Sequence, residues 1–410
     1  MLNYDQGFLK ILIVLVTFNI CMYYFDLYDS SVLNNPREVH TRLVQVEGTV
    51  CVVLAAIYFV YPSLGFGRGI LMVGFIIVSI LLLLCRHLFL LLNRIPRFAE
   101  RALILGDGFL AETLVRELSI RPVLGTRVVG QVTGLAGIRF EDLLSSIQPY
   151  KPDRVIVALG DRRGQLPVEA LLQLKDCGMR IDDGADVYEA ITGKVPIESL
   201  RLSWLLFSPG FHVSRPLVIY KRLAAVIFSA IALIVALPFF ALIALAIRID
   251  SQGPVIFRQR RIGQYGKEFT LFKFRTMIDG AERDGNYLPA QPDDVRFTRV
   301  GRLLRRSRMD ELPQFFNILL GDMHFVGPRP FVPNQEQECA LQIPYYRQRW
   351  VVKPGATGWA QVNRGYNVTI EDNREKLGYD LFYIKNLSIG LDALILFKTM
   401  KILLLGRGSR

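Results

Sequence analysis

Two adjacent carboxylates in the last third of the chain have the surroundings that phosphoryl transfer requires. Asp310 and Glu311 follow a basic run that contains Arg305 and Arg308. An aspartate carboxylate can attack phosphorus to form an acyl phosphate, and guanidinium groups beside it favour both an ionised carboxylate and a bound phosphate. For Asp310 taken alone, the simpler alternative is the N-cap of the next helix.

Two more cations precede this pair in a segment that partly alternates between polar and apolar residues. Lys273 and Arg275 would share one face of a strand, where two cations suit a pyrophosphate. A solvated strand face is the alternative. A diphosphate substrate also requires a hard divalent cation, and we expect Mg²⁺ on Asp310 and Glu311, because Mg²⁺ prefers carboxylate and phosphate oxygens.

The sequence after the carboxylates predicts the helix that positions them. Apolar residues recur at helical spacing from Leu312 to Leu319. Pro313 is tolerated only in the first turn of such a helix, which puts Asp310 near its N-terminus.

Two loops come after this helix. Residues 327–330 read Gly-Pro-Arg-Pro and would present Arg329 rigidly, because proline fixes its own backbone angle φ. Residues 354–361 form a Gly-rich turn that contains Trp359, placed either at a membrane interface or in an ordinary turn with a buried aromatic ring.

Three apolar runs occupy the first quarter of the chain, at residues 8–25, 43–61 and 69–92. At about 1.5 Å per residue, each can cross a hydrocarbon layer of about 30 Å. A cleavable signal peptide is not expected, because no basic segment precedes the first run. Arginines cluster at the end of the third run and after it, so the positive-inside rule puts the chain beyond this run in the cytoplasm.

A fourth apolar run, at residues 223–247, has basic residues on both flanks and Pro238 near its middle. Basic flanks at both ends indicate that both ends face the cytoplasm. A helix broken at Pro238 would enter the membrane and return on the same side, and a kinked spanning helix is the alternative.

The segment between the third and fourth runs alternates β-like and helical patterns, which predicts a parallel α/β sheet. Its first strand ends in a Gly-x-Gly-x-x-Ala sequence at Gly106 and Gly108. This is half of a dinucleotide fingerprint, because no carboxylate for a ribose ends the next strand. A structural turn and a nucleotide-binding loop both remain open.

The overall composition excludes several classes of protein. With 410 residues, of which 51% are hydrophobic, and a mean hydropathy of +0.30, the chain is too apolar to be disordered and long enough for two or three domains. Its 5 cysteines and 4 histidines are scattered, which argues against a disulfide framework or a zinc site. The net charge of +12 implies an anionic partner: nucleic acid, phospholipid headgroups or a phosphorylated substrate.

Four motifs in this order resemble the bacterial sugar transferases, the monotopic phosphoglycosyl transferases that prime polysaccharide assembly on polyprenyl phosphate. The motifs are Lys273-Phe-Arg275-Thr-Met277, Arg305 to Asp310-Glu311-Leu-Pro-Gln314, Gly321-Asp-Met to Gly327-Pro-Arg329-Pro, and Pro354-Gly-Ala-Thr-Gly-Trp-Ala-Gln361-Val-Asn363. The layout of the whole chain resembles the large subclass that acts in exopolysaccharide synthesis.

The resemblance implies a multi-domain α/β membrane protein. Transmembrane helices would occupy residues 1–96, a Rossmann-like domain residues 97–195, a linker residues 196–216, and a mixed α/β catalytic domain residues 217–410, with a re-entrant helix at 223–247. Relatives usually carry one N-terminal transmembrane helix more than the three found here.

The resemblance also implies an activity. The enzyme would transfer a sugar-1-phosphate from a nucleotide diphosphate sugar, with a UDP-sugar as the expected donor, to polyprenyl (undecaprenyl) phosphate, and would release UMP. It would work through an aspartyl-phosphosugar intermediate, with Mg²⁺, at the cytoplasmic face of the bacterial inner membrane. The expected partners are the nucleotide sugar, polyprenyl phosphate, membrane lipid and a second copy in a homodimer, and no nucleic acid.

Site roles come from the same resemblance. Asp310 would be the nucleophile and Glu311 its partner near Mg²⁺, and Pro238 would mark the break of the re-entrant helix. The substrate-binding residues would be Lys273, Arg275, Arg305, Arg329, Gln361 and Asp380. The identity of the sugar stays open.

Two other classes of function compete with this one. A non-enzymatic membrane sensor would bind a nucleotide in the middle domain and dock its basic half on lipid or nucleic acid, with steep salt dependence and no essential carboxylate. A membrane-bound dehydrogenase would need the ribose carboxylate that the sequence lacks.

Overall fold

The computed structural model describes residues 7–28, 36–65, 68–94, 99–120, 125–134, 137–159, 166–200, 205, 211, 214–281, 294–364 and 369–404. The chain separates into two compact units, Met1–Val187 and Tyr188–Arg410. The boundaries expected at residues 96, 195 and 216 stay predictions. Residues 193 and 194 already pack within the second unit, because the carbonyl of Gly193 accepts a hydrogen bond from Trp359 (2.7 Å) and Lys194 pairs with Glu375 (2.8 Å).

Helices form over all three apolar runs of the first unit: α1 (Gly7–Tyr24), α2 (Pro36–Val60) and α3 (Arg68–Arg94). Helices α1 and α2 are long and apolar enough to cross a membrane. In the described part of α3 the apolar stretch is Met72–Cys85, so the third span stays a prediction. Helix α2 begins earlier than expected because polar residues can form a helical turn as well as apolar ones.

The rest of the first unit is an α/β segment. Its elements are β1 (Glu100–Leu105), α4 (Gly108–Ile120), β2 (Thr126–Val132), α5 (Phe140–Ile147), β3 (Arg154–Val157), α6 (Val168–Asp176), β4 (Arg180–Asp183) and α7 (Gly184–Thr192), which runs on into the second unit. The strands form one sheet in the order β2-β1-β3-β4, and every pair is parallel. The predicted parallel sheet is confirmed. The sequence did not indicate β4, because three of its four residues are charged and none of the four is fully buried.

The Gly-x-Gly turn after β1 has a structural reason for its first glycine. Gly106 has a φ of +128°, and a Cβ atom there would lie 2.5 Å from the carbonyl oxygen of Ala158. Gly108, with a φ of +79°, begins α4 and has open space around it. Close packing therefore accounts for Gly106, and a nucleotide at this turn stays a prediction.

The second unit contains the remaining elements. They are α8 (Arg215–Asp250), β5 (Ile256–Ile262), β6 (Glu268–Phe274), α9 (Arg299–Arg306), α10 (Gln314–Leu320), β7 (His324–Val326), α11 (Pro333–Gln342), β8 (Gly355–Thr357), α12 (Trp359–Asn363), α13 (Ile370–Lys385) and α14 (Ile389–Leu404). Strands β5 and β6 form an antiparallel hairpin, and β7 pairs with β8 in parallel. The largest hydrophobic core of this unit surrounds α13 and includes Tyr346, Leu381 and Tyr383.

One uninterrupted helix, α8, covers the fourth apolar run and continues through Pro238. It is also long and apolar enough to cross a membrane. The sequence suggested a break of the helix at Pro238, but the helical backbone continues through this residue. The re-entrant arrangement stays a prediction.

Both ends of α8 contact the rest of the second unit. Near its start, Arg222 donates hydrogen bonds to the carbonyls of Ile318 and Leu319, both at 2.8 Å. Near its end, Ile247 packs with Leu304, and Asp250 accepts a hydrogen bond from the backbone of α9 at 2.9 Å. Helix α8 is therefore anchored to one domain at two points far apart along its axis.

Candidate active site

A tight turn between two helices carries the paired carboxylates. Arg308 adopts a left-handed backbone with a φ of 58°, and Met309–Glu311 form a single 3₁₀ turn before α10 begins at Gln314. The predicted position of Asp310 just before the helix is correct. The residue at the N-cap position is Pro313, so the capping alternative for Asp310 is wrong.

Three cations surround the carboxylate of Glu311. The Nζ atom of Lys273 lies 3.1 Å from Oε1, Arg329 lies 3.8 Å from the same oxygen, and Arg308 lies 4.0 Å from Oε2. Burial opposes ionisation of this group, but the charges of Lys273, Arg329 and Arg308 outweigh it and lower the pKa of Glu311 to about 2. Glu311 is therefore ionised at neutral pH.

Asp310 differs from Glu311 in its hydrogen bonding and in the direction of its pKa shift. Its side chain is buried, and its Oδ1 atom has no hydrogen-bond partner among the residues that the structure describes. Burial is the main cause that raises the pKa of Asp310 above its ordinary value; Lys273 opposes the rise and the charge of Glu311 adds to it. Of the two carboxylates, Asp310 is therefore the more basic, and the more basic carboxylate is the stronger nucleophile once it is ionised.

The position of Lys273 depends on a buried asparagine in α10. Asn317 donates a hydrogen bond to the carbonyl of Thr270 (2.7 Å) and accepts one from the backbone of Phe272 (3.0 Å). These bonds hold α10 against β6 and thereby hold the residue after Phe272 beside Glu311. No pattern in the sequence indicated Asn317, because its partners are backbone groups of a distant strand.

Arg275 and Arg305 are placed differently from Lys273. Strand β6 ends at Phe274, and the guanidinium of Arg275 donates hydrogen bonds to the carbonyl (2.7 Å) and hydroxyl (2.9 Å) of Ser251. The guanidinium of Arg305 lies over the ring of Phe297 at 4.2 Å and is close enough to Asp310 to lower its pKa. Lys273 thus contacts Glu311 directly, whereas Arg305 acts on Asp310 through its charge. Arg275 instead binds Ser251 at the end of α8.

The loop of Arg329 is held by glycines that face it. A Cβ atom on Gly327 would lie 2.4 Å from the carbonyl oxygen of Lys353, and one on Gly355 would lie 2.1 Å from the nitrogen of Gly327. Only glycine fits at both positions, because real Cβ atoms do not come this close to backbone. The two loops that the sequence singled out are therefore packed backbone to backbone.

A cleft opens beside Lys273 and Arg329. Its lining residues come from the hairpin, the start of α10 and the two loops: Arg261, Leu271, Lys273, Gln314, Arg329, Pro330, Gly355 and Ala356. Basic groups line this cleft next to the carboxylate pair, which suits an anionic ligand.

Comparison with known proteins gives the family of this chain. Residues 217–406 match the profile described as bacterial sugar transferase. The exopolysaccharide production protein PSS of Rhizobium leguminosarum bv. phaseoli is 38% identical over 187 residues, which are 44% of this chain and 94% of that protein. This chain belongs to the bacterial sugar transferase family.

Two longer relatives of this sugar transferase carry more specific names. UDP-N-acetylgalactosamine-undecaprenyl-phosphate N-acetylgalactosaminephosphotransferase of Aeromonas hydrophila is 41% identical over 228 residues, 55% of this chain and 52% of that protein. UDP-glucose:undecaprenyl-phosphate glucose-1-phosphate transferase of Klebsiella pneumoniae is 44% identical over 267 residues, 64% of this chain and 57% of that protein. The chain thus spans little more than half the length of these two relatives.

The other two substrate-binding residues expected in this sugar transferase make contacts outside the carboxylate pair. Asp380 is buried and lies 2.9 Å from Arg349, and burial raises its pKa to about 6 although Arg349 opposes the rise. Gln361 donates a weak hydrogen bond to the carbonyl of Ala356 at 3.3 Å, and its Oε1 atom is buried without a partner in the described ranges.

The carboxylate pair of the sugar transferase fits a divalent cation with few protein ligands. No group of three or more His, Cys, Asp or Glu side chains suited to a metal occurs within the part of the chain that the structure describes. The buried Oδ1 of Asp310 lacks a hydrogen-bond donor, as expected for an oxygen that meets a cation. Both oxygens of Glu311 already face basic side chains, those of Lys273 and Arg308. Asp310 is therefore the more available of the two carboxylates for a metal ion. Mg²⁺ commonly binds through one or two carboxylates and substrate phosphates.

Proposed function

We propose that this protein transfers a sugar-1-phosphate from a UDP-sugar to undecaprenyl phosphate, with Asp310 as the nucleophile. The observation that carries the proposal is the contrast within the carboxylate pair: Asp310 is buried, with an unpartnered oxygen and a raised pKa, whereas Glu311 is held ionised by three cations. The names of the relatives supply the classes of donor and acceptor.

In the first step, an oxygen of Asp310 attacks the phosphorus that bears the sugar. A new oxygen–phosphorus bond forms while the bond from that phosphorus to the bridging oxygen breaks, and UMP leaves with the bridging oxygen and its electron pair. Lys273, Arg308 and Arg329 surround the neighbouring carboxylate. They are therefore placed to offset the negative charge of the diphosphate.

In the second step, a phosphate oxygen of undecaprenyl phosphate attacks the same phosphorus. The bond between phosphorus and Asp310 breaks, the carboxylate is restored, and the product is undecaprenyl diphosphosugar. No proton is gained or lost at Asp310 over the cycle. The same cations serve both steps, because each step moves charge between oxygens of one phosphoryl group.

Asp310 and Glu311 would hold the magnesium ion. When bound, it would neutralise charge on the diphosphate oxygens. The homodimer expected from the resemblance stays a prediction.

Replacement of the nucleophile tests the proposal. In Asp310→Asn, UMP release from a UDP-sugar should be abolished, because a neutral amide is a poor nucleophile. The matched control is Glu371→Gln, which removes one negative charge from an exposed site in the same unit. Mass spectrometry of a quenched and digested reaction should show the phosphosugar on the peptide that contains residue 310. An active Asp310→Asn variant would refute the assignment.

We also propose that α8 enters the inner membrane and returns to the cytoplasmic side. Arg222 and Ile247, near its two ends, both contact the domain that carries Asp310. A helix that crossed the membrane could not place both of these ends against one soluble domain. Because a proline can bend a helix without ending it, α8 would turn back at Pro238. The basic residues on both flanks support the same arrangement.

Cysteine labelling tests this topology. In a cysteine-free background, Ser214→Cys and Gln252→Cys lie just outside the two ends of α8, and both positions are exposed. Both should react with a membrane-impermeant maleimide only in inverted vesicles. Labelling of Gln252→Cys from the periplasmic side would rule out a re-entrant helix.

A further inference from the structure

We propose that Arg349, held by Asp380, is a positioning residue that fixes Arg329 beside the catalytic carboxylates. This inference rests on the proposed function and assigns Asp380 to the support of the loop in place of substrate contact. The observation behind it is the bonding of the loop formed by residues 327–331, called here the Arg329 loop.

Four consecutive carbonyls of the Arg329 loop each accept a hydrogen bond from a different group. The donors are the backbone of Gly355 to Pro328 (3.0 Å), Arg349 to Arg329 (2.9 Å), Arg261 to Pro330 (2.9 Å) and the backbone of Ile262 to Phe331 (3.0 Å). Two of the four donors are buried arginine side chains. The loop is therefore fixed largely from outside its own backbone.

The composition of the loop explains why it needs outside support. Pro328 and Pro330 have no N–H group, so they cannot form backbone hydrogen bonds as donors. Each proline also restricts the residue before it to an extended conformation. Arg329 therefore projects from a stiff, extended segment whose position depends on the groups that bind its carbonyls.

Arg349 binds several buried side chains as well as the Arg329 loop, and this set of contacts is called here the Arg349 clamp. Its guanidinium lies 2.9 Å from Asp380 and 3.5 Å from Glu336, and it donates a hydrogen bond of 2.6 Å to the hydroxyl of Tyr346. These four side chains are all buried. Because a planar guanidinium offers several donors in fixed directions, one side chain can bind the loop and the carboxylates together.

The bonds of Arg349 argue against direct substrate contact. Both of its terminal nitrogens already bind the side chains named above or the carbonyl of Arg329. The side chains of Arg349 and Asp380 are only 5% and 3% exposed, whereas that of Arg329 is 30% exposed. Arg329 lines the cleft beside Lys273. Arg349 lines a second pocket together with Arg329 and Glu336, where it lies against the Arg329 loop. Arg349 therefore acts on the reaction through Arg329.

Hydrogen exchange of the full-length protein in detergent tests the clamp without any substrate. In Arg349→Lys, which keeps the charge but not the fork of donors, amide exchange in peptides that cover the Arg329 loop should be about tenfold faster. The matched control is Arg347→Lys, an exposed arginine two positions away, which should exchange as wild type. Unchanged exchange in the loop, or equal acceleration across α13 and the rest of the unit, would overturn the inference.

Kinetics supply the second readout, with Asp380→Asn as a further variant should Arg349→Lys fold poorly. Each should lower kcat/KM for UMP release by about tenfold to a hundredfold, the loss expected for a buried charge-assisted hydrogen bond. In an Arg329→Ala background the same changes should have less than about a twofold effect, because the residue that they position is gone. Equal losses in both backgrounds would contradict the inference.

A wild-type protein that released no UMP would instead count against the proposed function. The hydrogen-exchange experiment would still test the role of Arg349, because it needs no substrate.

Discussion

Replacement of Lys273 by methionine is the sharpest test of the charge arrangement around the carboxylates. Lys273 is the nearest of the three cations to Glu311, at 3.1 Å, and it also lowers the pKa of Asp310. Methionine has a similar length and no charge. The variant should therefore lose an electrostatic contribution while it keeps most of the packing.

The size of the effect can be worked out from Glu311. Its pKa falls from an ordinary value of 4.5 to about 2, which corresponds to about 3 kcal/mol in favour of the ionised form. Burial acts against this shift, so the three cations together contribute more than the net value, and Lys273 is the strongest of them. Lys273 should stabilise the negative charge of the bound diphosphate by a similar amount. Its loss should therefore cost roughly 1–2 kcal/mol and lower kcat/KM for UMP release by about tenfold.

The pH profile separates this cause from general damage. Lys273 lowers the pKa of both carboxylates, so without it both hold their protons to higher pH. Because the nucleophile must be ionised, the acid limb of the kcat/KM profile should move upward in Lys273→Met. The control is Lys267→Met at an exposed position of the same hairpin. The reasoning is refuted if the acid limb stays in place while activity falls, or if Lys267→Met has the same effect.

Three further outcomes are expected. Asn317→Ala, which leaves the carbonyl of Thr270 and one more backbone group of β6 unpaired, should lower stability by about 2–3 kcal/mol in thermal unfolding and also reduce activity. Gly355→Ala, whose Cβ atom would lie 2.1 Å from a backbone nitrogen, should cost about 3 kcal/mol in the same assay, whereas Gly390→Ala, with open space around it, should be nearly neutral. Since folding lowers the pKa of Glu311, its contribution to stability should be complete above pH 4.5 and be lost as the pH falls towards 2; Glu311→Gln should remove this part of the acid dependence.

The sequence predicted the parts of the site that lie close together along the chain. Asp310, Glu311 and the helix after them could be read from local spacing, and the parallel sheet from alternating patterns. Lys273 and Arg275 could be identified as cations, but their separate contacts with Glu311 and Ser251 could not, because strand β6 ends between them.

The residues that hold the site in place could not be predicted from sequence patterns. Arg349 stands in a short segment with other basic and aromatic residues, and nothing in its neighbours indicates that it binds the carbonyl of Arg329. The sequence left a broken helix and a kinked helix at Pro238 both open for a related reason, and the structure has one helix that continues through the proline. A proline predicts a kink from local geometry, whereas the backbone that results also depends on how the flanking turns pack.

The depth of Asp310 has a consequence for the timing of the proposed cycle. Only 7% of this residue is open to solvent, so a phosphosugar attached to it would be shielded from attack by water, the side reaction that destroys acyl phosphates in solution. We expect the loaded enzyme to persist until a lipid acceptor diffuses to it in the membrane. The soluble donor and the membrane-bound acceptor need not then be present at the same moment.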